Sequence, residues 1–125
     1  MIQHVNIFTA AGPLIRDGAI LMEGGKIAAV GATVTAPAGA VVLDGTGKYV
    51  TPGIIDDHSH IGANAAPDVW ARTDANELVN PVTGYVWVEH SVWPQDPQFP
   101  RDLAGGVTTV QVLPGSGNLF GGRSV

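Results

Sequence analysis

The first fifty residues alternate short apolar runs with glycine-containing turns. Residues 2–8 (IQHVNIF) are apolar and β-branched, and residues 18–30 contain two more short runs around the turn Glu23-Gly24-Gly25-Lys26. A glycine pair between apolar runs is typical of a β-hairpin. Residues 41–51 repeat this arrangement, with a tight turn opening at Asp44-Gly45. The pattern predicts a β-meander whose short strands bury little by themselves.

The pattern changes at Pro52. Residues 53–59 read as a short, mostly buried strand, and residues 107–113 (VTTVQVL) as a second one. Between them, residues 62–98 are rich in Asn, Pro, Asp and Trp and predict a long loop. Residues 96–106 (DPQFPRDLAGG) then predict a short helix, with Asp96 as its cap and two glycines as its stop. Strand, helix and strand make a βαβ unit, whose strands are expected to be parallel.

Composition restricts the possible functions. The 125 residues are 45% hydrophobic and 14% charged, which indicates a globular chain, and the net charge of -5 argues against nucleic-acid or anionic-membrane partners. There is no cysteine, so any metal must be held by nitrogen and oxygen ligands. The sequence shows no basic leader and no apolar stretch of membrane-spanning length, and we expect a cytoplasmic location with no membrane partner.

Two histidines stand one residue apart at the end of the first predicted strand of the second part. Alternate side chains of a strand share a face, so His58 and His60 point the same way, as does Asp56. Two imidazoles projecting from one strand end can close on a single cation. The spacing therefore predicts the beginning of a metal site.

Residues Pro52 to His60 resemble the amidohydrolase superfamily of metal-dependent hydrolases. Three pieces typical of that family occur in the family's order: Asp17-Gly18-Ala19-Ile20 with 25–31 (GKIAAVG), then 44–50 (DGTGKYV), then 52–60 (PGIIDDHSH). The later stretch AGGVTTVQVLPGSGNLFGGRS is similar to the imidazolonepropionase-like and prolidase-like branch. The resemblance covers essentially the whole chain.

The resemblance implies a mixed fold. Residues 1–51 would form the amino-terminal β segment of a composite β-sandwich domain. Residues 52–125 would supply the first two βα units of a TIM-like (β/α)8 barrel. Such a barrel needs about 250 residues, so we expect it to be incomplete in this chain.

The resemblance also implies a function, the hydrolysis of C–N bonds in a cyclic amide, imidazolone or dipeptide by metal-activated water. His58 and His60 match the family's first two metal ligands, and zinc is the default divalent metal. We expect Asp56 to orient an imidazole from the second layer around the metal. The loop after the second barrel strand would face a small-molecule substrate, with Gly115, Ser116 and Asn118 as the candidate residues. No residue is assigned as the catalytic base.

The remaining ligands of the family would lie on later barrel strands. Lys26 and Lys48 fall in turns of the β segment, so neither can be the family's bridging lysine. His90 could be a third ligand, although a surface histidine is the favoured interpretation. We expect a second polypeptide to carry the rest of the barrel. The alternative is a truncated, non-catalytic β-rich assembly module.

A further alternative is nucleotide binding. Residues 117–124 (GNLFGGRS) follow a strand and fit G-x-x-x-x-G-[KR]-[ST], one substitution from a phosphate-binding P-loop. Arg123 stands where a P-loop requires lysine, and arginine is not equivalent there. A substrate-facing loop therefore explains these glycines better.

Overall fold

A computed structural model describes residues 1–72 and 75–125, and strands predominate in it. The chain divides into two compact units, Met1–Pro52 and Gly53–Val125. The first unit contains β1 (Ile2–Ile7), β2 (Ile15–Glu23), β3 (Lys26–Gly31), β4 (Leu43–Asp44) and β5 (Tyr49–Val50). The second contains β6 (Ile54–Ser59), α1 (Gln98–Ala104) and β7 (Val107–Val112), with 3-10 turns at Trp70–Arg72 and Val88–His90.

The first unit is one five-stranded sheet in the order β3-β2-β1-β4, with β5 also paired to β1. Strands β1, β2 and β3 run antiparallel, as the meander predicts. The turn between β2 and β3 is formed by Gly24 and Gly25, whose φ angles are 56° and 75°. Positive φ at both turn positions matches the twist of a two-residue hairpin. The predicted hairpin is therefore confirmed.

The meander prediction is wrong for its last two strands, β4 and β5. Strands β4 and β5 pair parallel to β1, with Ile2 opposite Leu43 and Asn6 opposite Tyr49. The reason is the long connection between β3 and β4, because a parallel return needs a crossover, whereas a hairpin would need only a tight turn. The apolar core of the unit is small and consists of Val5, Ile7 and Ile20, with Ile2, Ile15 and Val50 packed against it.

The second unit contains the βαβ arrangement. Strands β6 and β7 are parallel, as predicted, with Ile54 opposite Val107 and Asp56 opposite Val110. Helix α1 ends at Ala104 with Gly105 as its C-cap, as the two glycines predict. Its N-cap position is occupied by Pro97, so the prediction that Asp96 caps the helix is wrong by one residue. The Asp96 carboxylate nevertheless accepts the N–H of Gln98, at 2.9 Å.

The two strands of this unit are less buried than predicted. Ile54 is 52% exposed and Ile55 is 70% exposed. The physical reason is that a parallel sheet needs cover on both faces, which a single helix of seven residues cannot give. Within the described residues, no helix has the length and hydrophobicity needed to cross a membrane.

Candidate metal site

The two predicted ligands lie side by side where β6 ends. The ring centroids of His58 and His60 are 5.4 Å apart, and the ring planes meet edge-on at 83°. Strand alternation places them together, because the two residues are separated by one position of extended backbone. The His58 side chain is exposed and His60 is half-buried.

A hydrogen bond to the end of β7 fixes the His60 ring. Its Nδ1 lies 2.8 Å from the backbone oxygen of Leu113. A carbonyl oxygen can only accept, so Nδ1 carries the proton and the neutral ring keeps a lone pair on Nε2. The Leu113 N–H donates to the backbone oxygen of Ser59, at 2.8 Å, which ties the ends of β6 and β7 together. His60 therefore has one nitrogen anchored and one available to a cation.

Asp56 contacts the backbone beside the histidines. Its Oδ1 accepts the backbone N–H of His58, at 3.2 Å. This bond holds the strand end at His58. Orientation of an imidazole by Asp56 stays a prediction.

The donor set fits the beginning of a metal site. Two imidazoles are appropriate zinc ligands, but a catalytic zinc has three protein ligands. Across residues 1–72 and 75–125, no group of three or more His, Asp or Glu side chains is placed to hold a metal. His90 lies instead in an exposed 3-10 turn, with Nε2 3.8 Å from Glu89.

The loop after β7 and the loop after β6 together enclose a cavity of about 550 Å³. Gly115 and Asn118, two of the predicted substrate-facing residues, line this cavity. Ser116 is exposed and is not among the lining residues. The volume lies within the range of roughly 300–1,000 Å³ that is usual for small-molecule sites.

The P-loop-like segment is bonded to the preceding loop. The N–H of Phe120 donates to Pro81 and the N–H of Arg123 donates to Val86, so both amides already have acceptors. The Arg123 guanidinium lies 4.7 Å from the Trp87 ring centre, and its Nε donates to the backbone oxygen of Gly84. A phosphate cradle needs backbone amides that point at the ligand. These contacts argue against phosphate binding there.

Asp96, which the sequence predicted only as a helix cap, accepts several hydrogen bonds within the second unit. Its carboxylate is 0% exposed and accepts N–H groups from Gly62 and Ala66 and both the backbone and side-chain N–H groups of Gln98. Burial alone would raise the pKa of Asp96, but the hydrogen bonds from Gln98, Gly62 and Ala66 outweigh it and lower the pKa. The bonds join the loop after β6 to the start of α1.

The chain is similar to known proteins that are named as amidohydrolases or imidazolonepropionases. The chain is 36% identical over 110 residues to amidohydrolase tasK of Hapsidospora irregularis, a match covering 86% of this chain and 11% of that protein. It is 32% identical over 123 residues to an imidazolonepropionase of Alkaliphilus metalliredigens, covering 83% of this chain and 29% of that protein. A crystal structure of an amidohydrolase from Thermotoga maritima matches with a TM-score of 0.84 and 37% identity, over 98% of this chain and 32% of the other.

The chain thus spans less than a third of the length of each of these three proteins. No family model matches it.

Proposed function

Because this chain belongs to the amidohydrolase superfamily and corresponds to the amino-terminal part of its members, we propose that it supplies the first two metal ligands of a C–N bond hydrolase. The ligands are His58 and His60. The metal is a divalent cation, with zinc as the default for imidazole donors. The substrate class is a cyclic amide, an imidazolone or a dipeptide.

The hydrogen bond between His60 and Leu113 carries this proposal. Metal-bound histidines commonly donate their second ring N–H to a carbonyl or carboxylate, which orients the ring and makes it a better ligand. His60 has this bond, and its Nε2 lone pair is available. The neighbouring His58 ring supports the same interpretation, since one cation could contact both imidazoles at the strand end.

A bound divalent cation would polarise a substrate carbonyl and activate water for attack. The residues of this chain would hold the cation and position the substrate. His58 and His60 would bind the cation, and the Asp56 bond to the His58 backbone would fix the strand end that presents them. The loop containing Gly115 and Asn118 would contact the substrate, because both residues line the cavity beside it.

The proposal includes a TIM-like barrel whose first two strands are β6 and β7. Their parallel pairing and exposed apolar residues, including Ile54 and Ile55, support it, because buried parallel strands need further strands and helices against them. The other metal ligands and the remaining strands would come from a second polypeptide. The exposed apolar side chains would be covered by that partner.

Metal analysis tests the proposal. The chain would be assayed for zinc by mass spectrometry, alone and after assembly with a polypeptide carrying the rest of the barrel. We expect stoichiometric zinc in the assembled form and its loss in His58→Asn and His60→Asn. His4→Asn and His90→Asn serve as matched controls, since both histidines are exposed and should leave the zinc content unchanged. Full zinc retention by His58→Asn would refute the ligand assignment, and a metal-free assembly would support the non-catalytic module.

A further inference from the structure

A buried carboxylate holds the loop that follows the predicted ligand His60. Asp96 is 0% exposed, and its Oδ2 accepts the backbone N–H of Gly62, at 3.0 Å. Gly62 comes two positions after His60 in the chain. A buried charge is costly unless hydrogen-bond donors surround it, and bonds to a charged acceptor are stronger than neutral ones. The proposed chemistry does not use Asp96, so its buried charge needs another explanation.

Gly62 is fixed from several sides. Its backbone oxygen accepts the N–H of Trp93, at 3.0 Å. Its φ is 77°, a conformation that favours glycine, and an added Cβ would lie 3.0 Å from Val92 and 3.1 Å from Phe99. Both backbone groups are bonded and there is no space for a side chain, so Gly62 is held in one conformation. The bond from Gly62 to Asp96 therefore sets the direction in which the loop leaves β6.

A second path of hydrogen bonds leads from Asp96 to the backbone of His60. The His60 backbone oxygen accepts the N–H of Asn64, at 2.8 Å. The Asn64 backbone oxygen accepts the side-chain N–H of Gln98, at 2.9 Å. The same Gln98 nitrogen lies 3.0 Å from Asp96 Oδ2. The backbone of His60 is thus tied to the buried carboxylate both through this path and through Gly62.

The His60 imidazole depends on the position of that backbone. Its Nδ1 lies 2.8 Å from the backbone oxygen of Leu113, which is 53 positions away in sequence. Hydrogen bonds weaken steeply when donor and acceptor are misaligned, so a shift of the His60 backbone would loosen this bond. The bond keeps the proton on Nδ1 and leaves Nε2 available to a cation.

We propose that Asp96 is a positioning residue for the metal ligand His60. Its charge holds the loop after β6, and the loop holds the imidazole against Leu113 in the tautomer that binds a cation. This role rests on the proposed function, because it takes His60 as a ligand. A carboxylate suits the role because it only accepts, and the groups that face it from Gly62 and Gln98 are all N–H donors.

Nitrogen NMR of the His60 ring in the metal-free chain tests this role. The protonated and unprotonated nitrogens of a neutral imidazole are distinct, so the spectrum reports the tautomer. Spectra would be recorded in EDTA for the unmodified chain and for Asp96→Asn. We expect a protonated Nδ1 in the unmodified chain. In Asp96→Asn the two ring-nitrogen signals should move towards each other, because a released ring exchanges between its two tautomers.

Zinc affinity provides the second readout. It would be measured by titration of the same two proteins without EDTA. We expect the affinity to be about tenfold lower in Asp96→Asn, which is the effect of losing a residue that orients a metal ligand.

Thr83→Val is the control for a general loss of stability. Thr83 belongs to the same unit and is 5% exposed, and its hydroxyl is bonded to the Phe120 backbone and the Asn118 side chain. Removal of this hydroxyl should lower the urea midpoint. It should leave the His60 signals unshifted, because none of these bonds involves the loop that Asp96 holds.

Gln98→Ala keeps the test decisive if Asp96→Asn does not fold. It removes the side chain that bonds both Asp96 and Asn64, but it keeps the bond between Asp96 and Gly62. Gln98 is only half-buried, so we expect this variant to fold. Its His60 signals should shift in the same direction as those of Asp96→Asn, by a smaller amount.

Unshifted His60 signals in Asp96→Asn, or in Gln98→Ala where Asp96→Asn does not fold, would overturn the role of Asp96. An equal shift in Thr83→Val would also overturn it, as would unchanged zinc affinity beside shifted signals. The tautomer is measured without metal, so it is independent of the proposed function. Shifted signals in a chain whose zinc survives His58→Asn would refute the proposed function alone. Unshifted signals in a chain that loses zinc in His58→Asn would refute the role of Asp96 alone.

Discussion

The buried carboxylate of Asp96 provides the sharpest test of how the second unit is held together. In Asp96→Asn, an NH₂ group must replace one carboxylate oxygen. If it replaces Oδ1, it faces the N–H of Gln98, and if it replaces Oδ2, it faces the N–H of Gly62 and the Nε2 of Gln98. Either orientation leaves at least one buried donor without an acceptor, in a site with 0% exposure.

The magnitude follows from those lost bonds. A buried donor left unsatisfied costs about 1–3 kcal/mol, and hydrogen bonds to a charged acceptor contribute about 1.5–3 kcal/mol, so we expect a loss of about 2–4 kcal/mol. This is a large part of the roughly 5–15 kcal/mol that stabilises a typical domain. With a urea dependence of about 1–3 kcal/mol per molar, the unfolding midpoint should fall by about 0.7–4 M.

Tryptophan fluorescence in urea is the appropriate assay, because Trp70, Trp87 and Trp93 all belong to the second unit. Glu77→Gln is the matched control. The Glu77 carboxylate also accepts two backbone N–H groups, from Val79 and Asn80, but it is exposed. Water can therefore accept those N–H groups in Glu77→Gln, and the urea midpoint should hardly change. Equal midpoint shifts for the two variants would refute the role assigned to burial.

The same carboxylate gives stability a defined pH dependence. The folded-state pKa of Asp96 is lowered from 3.8, so the unfolded chain takes up this proton at a higher pH than the folded chain does. The contribution is therefore fully present above about pH 4 and is lost as the pH falls through the folded-state pKa. Asp96→Asn should show a flatter decline in acid than the unmodified chain. An unchanged acid profile would contradict the assignment.

Two glycine substitutions test the backbone geometry by urea or thermal unfolding. A Cβ on Gly53 would collide with the side chain of Thr108, so Gly53→Ala should destabilise the β6–β7 pair by about 1–3 kcal/mol, with partial recovery on adding Thr108→Ala. A neutral Gly53→Ala would disprove that close approach. Gly25→Ala should cost about 1–2 kcal/mol, because φ is 75° there, whereas Gly12→Ala, in open space, should not destabilise the chain. Equal effects of these two would show that the hairpin turn is not as described.

Local patterns predicted the local features of the fold. The Gly24-Gly25 hairpin and the end of α1 before Gly105 each depend on residues close together in sequence, and the parallel pairing of β6 and β7 follows from the order strand, helix, strand. Pairing of β4 and β5 with β1 joins residues more than forty positions apart, as Ile2 and Leu43 illustrate, and no short pattern encodes it. The prediction that β6 is mostly buried was wrong. An apolar run shows that a strand is suited to burial, but the elements that would cover it are not part of that run.

The candidate site also has one feature that local sequence predicts and others that depend on contacts between distant residues. The neighbouring positions of His58 and His60 follow from strand alternation alone. The anchoring of His60 by Leu113 spans 53 positions, and the bonds from Asn118 to Asn80 and Thr83 span 38 and 35. These contacts exist only once the loops have packed. The sequence named Asn118 as a candidate substrate-facing residue but could not show which bonds its side chain makes.

The central claim is that His58 and His60 bind one divalent cation through the strand end of β6. Long-range proton–nitrogen NMR of the four histidine rings, recorded while zinc is added, tests it most directly. The account predicts that the Nε2 signal of His60 and one ring-nitrogen signal of His58 move together, while His4 and His90 stay unchanged. Identical behaviour of all four histidines, or movement of the signals of only one of the pair, would contradict it.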